Sequence, residues 1–173
     1  MIIAVFTGKL DILGPFFWEI MKTLIVYTSY HHGNTEKIAR AMGAVLDAEL
    51  HSPESIKPEQ VGDYDLVGFA SGNYFGKFDK RLVNFIDNLP RYSGKNAFIF
   101  STSGSAFQKA HEELKKYLED KGFTIVGEWN CRAFDTFGPL KLLGGINKGK
   151  PDEVDLEAAR KFAEGLRDKK QQR

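Results

Sequence analysis

Three short stretches of the chain combine hydroxyls, amides and glycines, and none contains an obvious catalytic acid–base pair. They are TSYHHGNT from Thr28 to Thr35, SGNYFG from Ser71 to Gly76, and STSGS from Ser101 to Ser105. Such loops offer backbone N–H groups and neutral hydroxyls, a chemistry suited to holding an anion. The first stretch also runs into a helical pattern. The unpaired N–H groups and positive dipole end of that helix favour phosphate, with Ser29, Asn34 and Thr35 adding hydrogen bonds. The stretch has no Lys or Arg, so binding would rest on neutral donors. It also lacks the Gly-Lys-Ser/Thr ending of a nucleotide-triphosphatase loop and the three-glycine dinucleotide fingerprint. A monophosphate therefore suits it better than a triphosphate or pyrophosphate. Asn34 and Thr35 have a second reading as simple helix caps. Three polar stretches at one sheet edge shift the balance toward a ligand.

His31 and His32 are adjacent, so their side chains point apart, and no further cluster supports a metal; none is expected there. One of them as a pH-sensitive phosphate partner, or both as solvated loop residues, are the readings kept. Cys131 is the one cysteine, which excludes an internal disulfide and a Cys-rich metal site. It is expected to be an inert strand-end thiol without a resolving partner, in a reducing, cytoplasmic setting.

The three stretches must be positioned by something regular. Leu24–Tyr27, Asp65–Ala70 and Ala97–Phe100 are short apolar runs, as expected of strands buried on both faces, and each precedes one polar stretch. Phe123–Trp129 reads as a further strand, and Leu50 lies in a weak, short one. Ile38, Met42, Val45 and Leu46 give one helical stripe, and Phe78, Leu82, Phe85, Ile86 and Leu89 a second. Phe107, Ala110, His111, Leu114, Tyr117 and Leu118 give a third, with Gly122 as its C′ residue. The fourth opens at Pro151-Asp152, with Ala158, Ala159, Phe162, Ala163 and Leu166 inward. HSPESIKPEQ reads as a loop, because Pro53 and Pro58 oppose regular structure. Five strands alternating with four helices imply an α/β, doubly wound, five-stranded parallel sheet in three layers. Ligands of such sheets bind beyond the carboxyl ends of the strands, where the polar stretches fall.

The chain has 173 residues, 42% hydrophobic, with 24 Lys plus Arg against 23 Asp plus Glu. That suits one compact domain over 21–173, and the near-zero charge suggests neither nucleic acid nor an anionic membrane as partner. Residues 1–20 are apolar but interrupted by Lys9, Asp11, Gly14, Pro15 and Glu19, too broken for a membrane span. They read as an upstream extension arising from a misplaced start codon, or as an arm packed on the domain or a second subunit.

Tyr27-x-Ser29-x-x-x-Gly33-Asn34-Thr35-Glu36 after a buried strand resembles the FMN-phosphate loop of the flavodoxin family. The similarity covers roughly Lys22 to Leu166 and implies the family's strand order 2-1-3-4-5, with FMN at the switch in order. By position it implies phosphate contacts from Ser29, Tyr30, His31, His32, Gly33, Asn34 and Thr35. Ser71, Gly72, Asn73, Tyr74 and Phe75 resemble the isoalloxazine loop, and Ser101, Thr102, Ser103 and Gly104 more loosely its second flavin loop. The resemblance also implies a peptide at Gly72 able to flip on flavin reduction, and stacking by Tyr74 or Phe75; Phe75 has a second reading as core. It implies an electron carrier that serves redox partner proteins as a monomer or weak dimer. The alternative is an NAD(P)H-dependent FMN oxidoreductase, of quinone-reductase or protoporphyrinogen-oxidase type. The first loop is about one residue longer than in familiar flavodoxins. The segment 131–150 is another departure: it could cap the flavin, dock a partner or pack the sheet edge.

Overall fold

A computed structural model describes residues 21–30, 32–73, 76–104, 109–136 and 144–171. The reading of residues 1–20 lies outside them, as do His31, Tyr74 and Phe75. Strands β1 (Thr23–Tyr27), β2 (Ala48–His51), β3 (Leu66–Gly72), β4 (Lys95–Ser103) and β5 (Phe123–Arg132) alternate with helices α1 (Asn34–Leu46), α2 (Lys80–Asp87), α3 (Lys109–Asp120) and α4 (Glu153–Gln171). All neighbouring strands are parallel, in the order β2-β1-β3-β4-β5. The doubly wound sheet and its order are therefore those the sequence implied.

Side chains alternate across each strand and so divide between two cores. Leu24, Val26, Val67, Phe69 and Ile99 pack with Leu82, Ile86, Leu114 and Leu118 of α2 and α3. Ile25, Phe98 and Phe100 pack with Ile38 and Met42 of α1 and with Ala159, Ala163 and Leu166 of α4. Gly68 sits opposite Phe98 in the ladder, and a Cβ on it would overlap the Phe98 ring. That close approach is why the middle of an apolar strand carries a glycine.

Two boundaries differ from the sequence reading. Pro58–Asp63 forms a 3-10 helix within the expected loop, with Pro58 in its first turn. Proline is favoured there because its missing N–H would lack a partner anyway. The ladder of β4 also continues beyond Phe100 as Ser101↔Asn130, Thr102↔Cys131 and Ser103↔Arg132. The polar residues Ser71, Gly72, Ser101, Thr102 and Ser103 therefore belong to strand ends. None of the described helices is long and apolar enough to cross a membrane.

Candidate functional site

At the carboxyl edge of the sheet, Tyr30, Asn34, Thr35, Gly72, Asn73, Thr102, Ser103 and Gly104 line one open cleft with ≈ 380 Å³ of empty space. The three polar stretches thus converge. Ala133, Phe134 and Asp135 complete the wall. A larger groove, with ≈ 830 Å³ of empty space, runs between α2 and α3 past Phe78, Val83, Leu114 and Tyr117. None of the convergent polar loop residues lines it, so the smaller cleft is the better candidate for chemistry.

The first loop turns into α1 through two left-handed residues, His32 (φ 59°) and Gly33 (φ 66°). Glycine accepts that conformation without the Cβ penalty other residues carry. Ser29 Oγ then accepts from the Glu36 N–H at 3.3 Å, and Gly33 O accepts from Lys37 N at 3.0 Å. The amides of Asn34 and Thr35 precede these two and by helix geometry have no intrahelical acceptor. Thr35 is buried, and its hydroxyl lies 2.9 Å from that of Thr102. This bond ties the start of α1 to the end of β4.

Asn34 is 6% exposed. Its Nδ2 donates to Phe134 O at 2.8 Å, which fixes the amide plane. Its Oδ1 is buried without a hydrogen-bond partner, as is the hydroxyl of Thr28 at the base of the same loop. Unsatisfied buried polar atoms cost roughly 1–3 kcal/mol each, so a pair of them at one turn marks a place prepared for a ligand or water.

The remaining candidates have other duties. Ser71 is fully buried; its hydroxyl donates to Gly72 O at 2.5 Å and accepts from Asp79 N at 3.0 Å. Asn73 N donates to Thr102 O at 2.9 Å. The Gly72–Asn73 peptide is thereby bonded on both sides. Ser101 is 1% exposed and its Oγ lies 2.7 Å from His111 Nε2 on α3, so it faces away from the Thr35–Thr102 bond. His32 is exposed, stands 2.9 Å from the Thr136 hydroxyl and packs its ring 4.5 Å from that of Phe134. Tyr30 is 70% exposed at the cleft mouth, with the Arg81 guanidinium 5.3 Å over its ring.

The sequence reading left the role of 131–150 open. In the described part, Asp135 and Ile146 form an antiparallel bridge, and Asn147 Nδ2 donates to Gly104 O at 2.8 Å. The strap packs the sheet edge and also walls the cleft through Phe134 and Asp135, neither of which was chosen as a site residue from the sequence. Their sole signal was glycine density: Gly145 (φ 84°) sits where a Cβ would meet the Phe134 ring and Asp135 O. Cys131 is buried under α4, and burial, with Asp155 and Asp152 adding to it, pushes its thiol up to about 12. The native thiol should therefore react with an aromatic disulfide reagent at pH 8 at least about a hundredfold more slowly than the unfolded chain. A stopped-flow trace with equal rates would contradict this.

Residues 24–144 match the family model described as a flavodoxin domain. An uncharacterized protein of Methanocaldococcus jannaschii is 45% identical over 84% of this chain and 98% of its own length. An NAD(P)H dehydrogenase (quinone) of Sinorhizobium fredii is 26% identical over 80% of this chain and 92% of its own. Among solved structures, oxidised Flavodoxin 2 from Bacillus cereus superposes with a TM-score of 0.66 at 23% identity, covering 86% of this chain and 99% of that one. The parallel sheet, the loop-to-helix turn on Gly33 and the extent of the family match together place the chain in the flavodoxin domain family.

Proposed function

We propose that the cleft binds FMN and that the protein carries electrons between redox partner proteins. The observation that carries this reading is the buried Asn34 amide. Phe134 O takes its Nδ2, so its Oδ1 can only accept, and it has no partner. A fully ionised phosphate alone cannot satisfy it, because phosphate donates nothing. A phosphate ester whose chain carries hydroxyls can, and the ribityl phosphate of FMN is one. The Asn34 and Thr35 amides at the start of α1 would supply neutral donors for the phosphate end.

When bound, FMN would supply the redox chemistry, while the chain supplies position and electrostatics. Asn34, Thr35 and Thr102 would hold the phosphoribityl end. The ends of β3 and β4 would border the ring, with Tyr30 at the mouth. Rotation of the Gly72–Asn73 peptide would have to break two hydrogen bonds, a resistance of about 2 kcal/mol at ordinary net values.

The test is an absorbance spectrum after FMN incubation and desalting, with the released cofactor identified. Bands near ~375 and ~450 nm with stoichiometric FMN are expected of a flavoprotein. Colourless protein that takes up no FMN would overturn the reading. The relative named NAD(P)H dehydrogenase (quinone) favours a second reading, a reductase on the same site. Rapid steady-state NAD(P)H oxidation with a quinone would select it; electron exchange with a protein partner and no such turnover selects the carrier.

A further inference from the structure

On the face of β4 turned away from the Thr35–Thr102 bond lies a polar string that no ligand in the cleft could touch. Ser101 Oγ is 2.7 Å from His111 Nε2, and His111 is 3% exposed. His111 Nδ1 is 3.4 Å from Glu128 Oε2 on β5, and the other Glu128 oxygen accepts from Lys115 Nζ at 3.2 Å. Serine, histidine and carboxylate in this order resemble acyl-transfer machinery. Ser101 is sealed inside the sheet, however, with no space for a substrate.

The consequence of the string is positional. Thr102, Ser103 and Gly104 follow Ser101 directly and line the cleft. Ser71, paired with Ser101 across the ladder, makes the matching attachment on its own side, accepting from Asp79 N just before α2. Each strand-end serine thus anchors the chain that enters the next helix, and Ser101 is anchored by a titratable partner.

We propose that His111 is a positioning residue for the cleft: through Ser101 it sets the Thr102–Gly104 end of β4, and proton uptake on its ring loosens that strand end and weakens the hold on a phosphorylated ligand. With the Nδ1 proton directed at Glu128, Nε2 accepts the Ser101 hydroxyl proton. A protonated ring donates from both nitrogens. Ser101 must then accept, and its own proton needs a new acceptor, while the Ser71 hydroxyl beside it is committed to Gly72 O and Asp79 N. Among the described residues, the charged groups at the ring are Glu128 from β5 and, behind it, Lys115 from α3; from the α2 side it meets the Phe78 ring at 5.6 Å. Burial holds the imidazole below its ordinary pKa, and Glu128 opposes that shift. The neutral ring is therefore the resting form at neutral pH. Below the ordinary histidine range of about 6.5, the unfolded chain binds the proton first, so stability falls as pH drops toward the lowered native value.

The ligand clause rests on the FMN reading; the positioning clause does not. The experiment is a pH titration of the ¹⁵N-labelled full chain by NMR, alone and with FMN, in the wild type and in Ser101→Ala and His111→Gln. In the ligand-free wild type the amides of Thr102, Ser103 and Gly104 are expected to titrate with the midpoint of the His111 ring. In Ser101→Ala the ring still titrates and those amides no longer follow it. His111→Gln removes the common midpoint. With FMN bound, the ring midpoint falls, and each unit of fall matches about a tenfold weaker hold by the protonated protein. Strand-end amides that stay fixed while the ring titrates, or that follow it equally in Ser101→Ala, overturn the proposal, as does a ring midpoint that bound FMN leaves unmoved. Failure to bind FMN would count against the cofactor reading, and the ligand-free amides would still decide the positioning role.

Discussion

Gly122→Ala is expected to destabilise the fold by about 2–5 kcal/mol, without any change in the cleft. Gly122 joins α3 to β5 at φ 87°, a left-handed conformation that costs a residue with a Cβ about 1–2 kcal/mol. A Cβ there would also overlap the Tyr92 carbonyl oxygen, and this is a collision with backbone rather than with a side chain that could swing aside. The backbone cannot yield cheaply. Gly122 N donates to Glu119 O at 2.8 Å, Gly122 O accepts from Gly94 N at 2.9 Å, and Tyr92 N donates to Lys121 O at 2.8 Å. Overpacking adds a further ~1–3 kcal/mol. For a chain of this size the sum lowers the thermal midpoint by roughly 10 °C. A calorimetric midpoint within about 2 °C of the wild type would refute the argument.

Ser29→Asp is expected to separate binding from stability. Ser29 Oγ accepts from the Glu36 amide in the first turn of α1, and an aspartate can keep that bond. Its negative charge beside the positive end of the helix should leave stability unchanged or raise it by up to about 1 kcal/mol. The same charge would oppose a bound phosphate. At a separation on the order of 6 Å and an effective dielectric near 20, one pair of unit charges repels by about 3 kcal/mol, which weakens binding about a hundredfold. Ser29→Asn, with the same shape and no charge, should stay within about tenfold of the wild type. Titration calorimetry with FMN and thermal melts of the three proteins test the pair. Equal affinities for the aspartate and asparagine variants would mean that no anion sits at this turn.

The framework was readable in the chain because apolar runs announce it. Leu24–Tyr27 and Asp65–Ala70 have the length and apolar character expected of strands buried on both sides, and Gly122 after a helical stripe marked a left-handed exit. The strand ends were harder. Ser101, Thr102 and Ser103 carry no hydrophobic pattern, so they read as loop; only pairing with β5 holds them in the ladder. The same limit applies to the cleft. Asn34 and Thr35 could be chosen from their place at a strand-to-helix turn, whereas Ser71 and Ser101 were chosen for the same polarity and turned out to anchor helices on the opposite face. Alternation along a strand separates the two cases, but only once its register is known. The wall formed by Phe134 and Asp135 depends on contacts between residues about a hundred positions apart, which no local pattern encodes.

That distance has a kinetic consequence. The bond from Asn34 Nδ2 to Phe134 O and the contact of His32 with Thr136 join the first loop to the strap across separations of 100 and 104 residues. Closing a flexible loop of that length costs about 4 kcal/mol of chain entropy before either contact repays it. The β1–α1 turn forms from neighbours in sequence, but its wall arrives only when β5 has joined the sheet and the chain has doubled back over the edge. Contacts of such high order form late in folding. A binding-competent cleft is therefore among the last features the chain acquires, and uptake of a ligand reports completed folding rather than assisting its early steps.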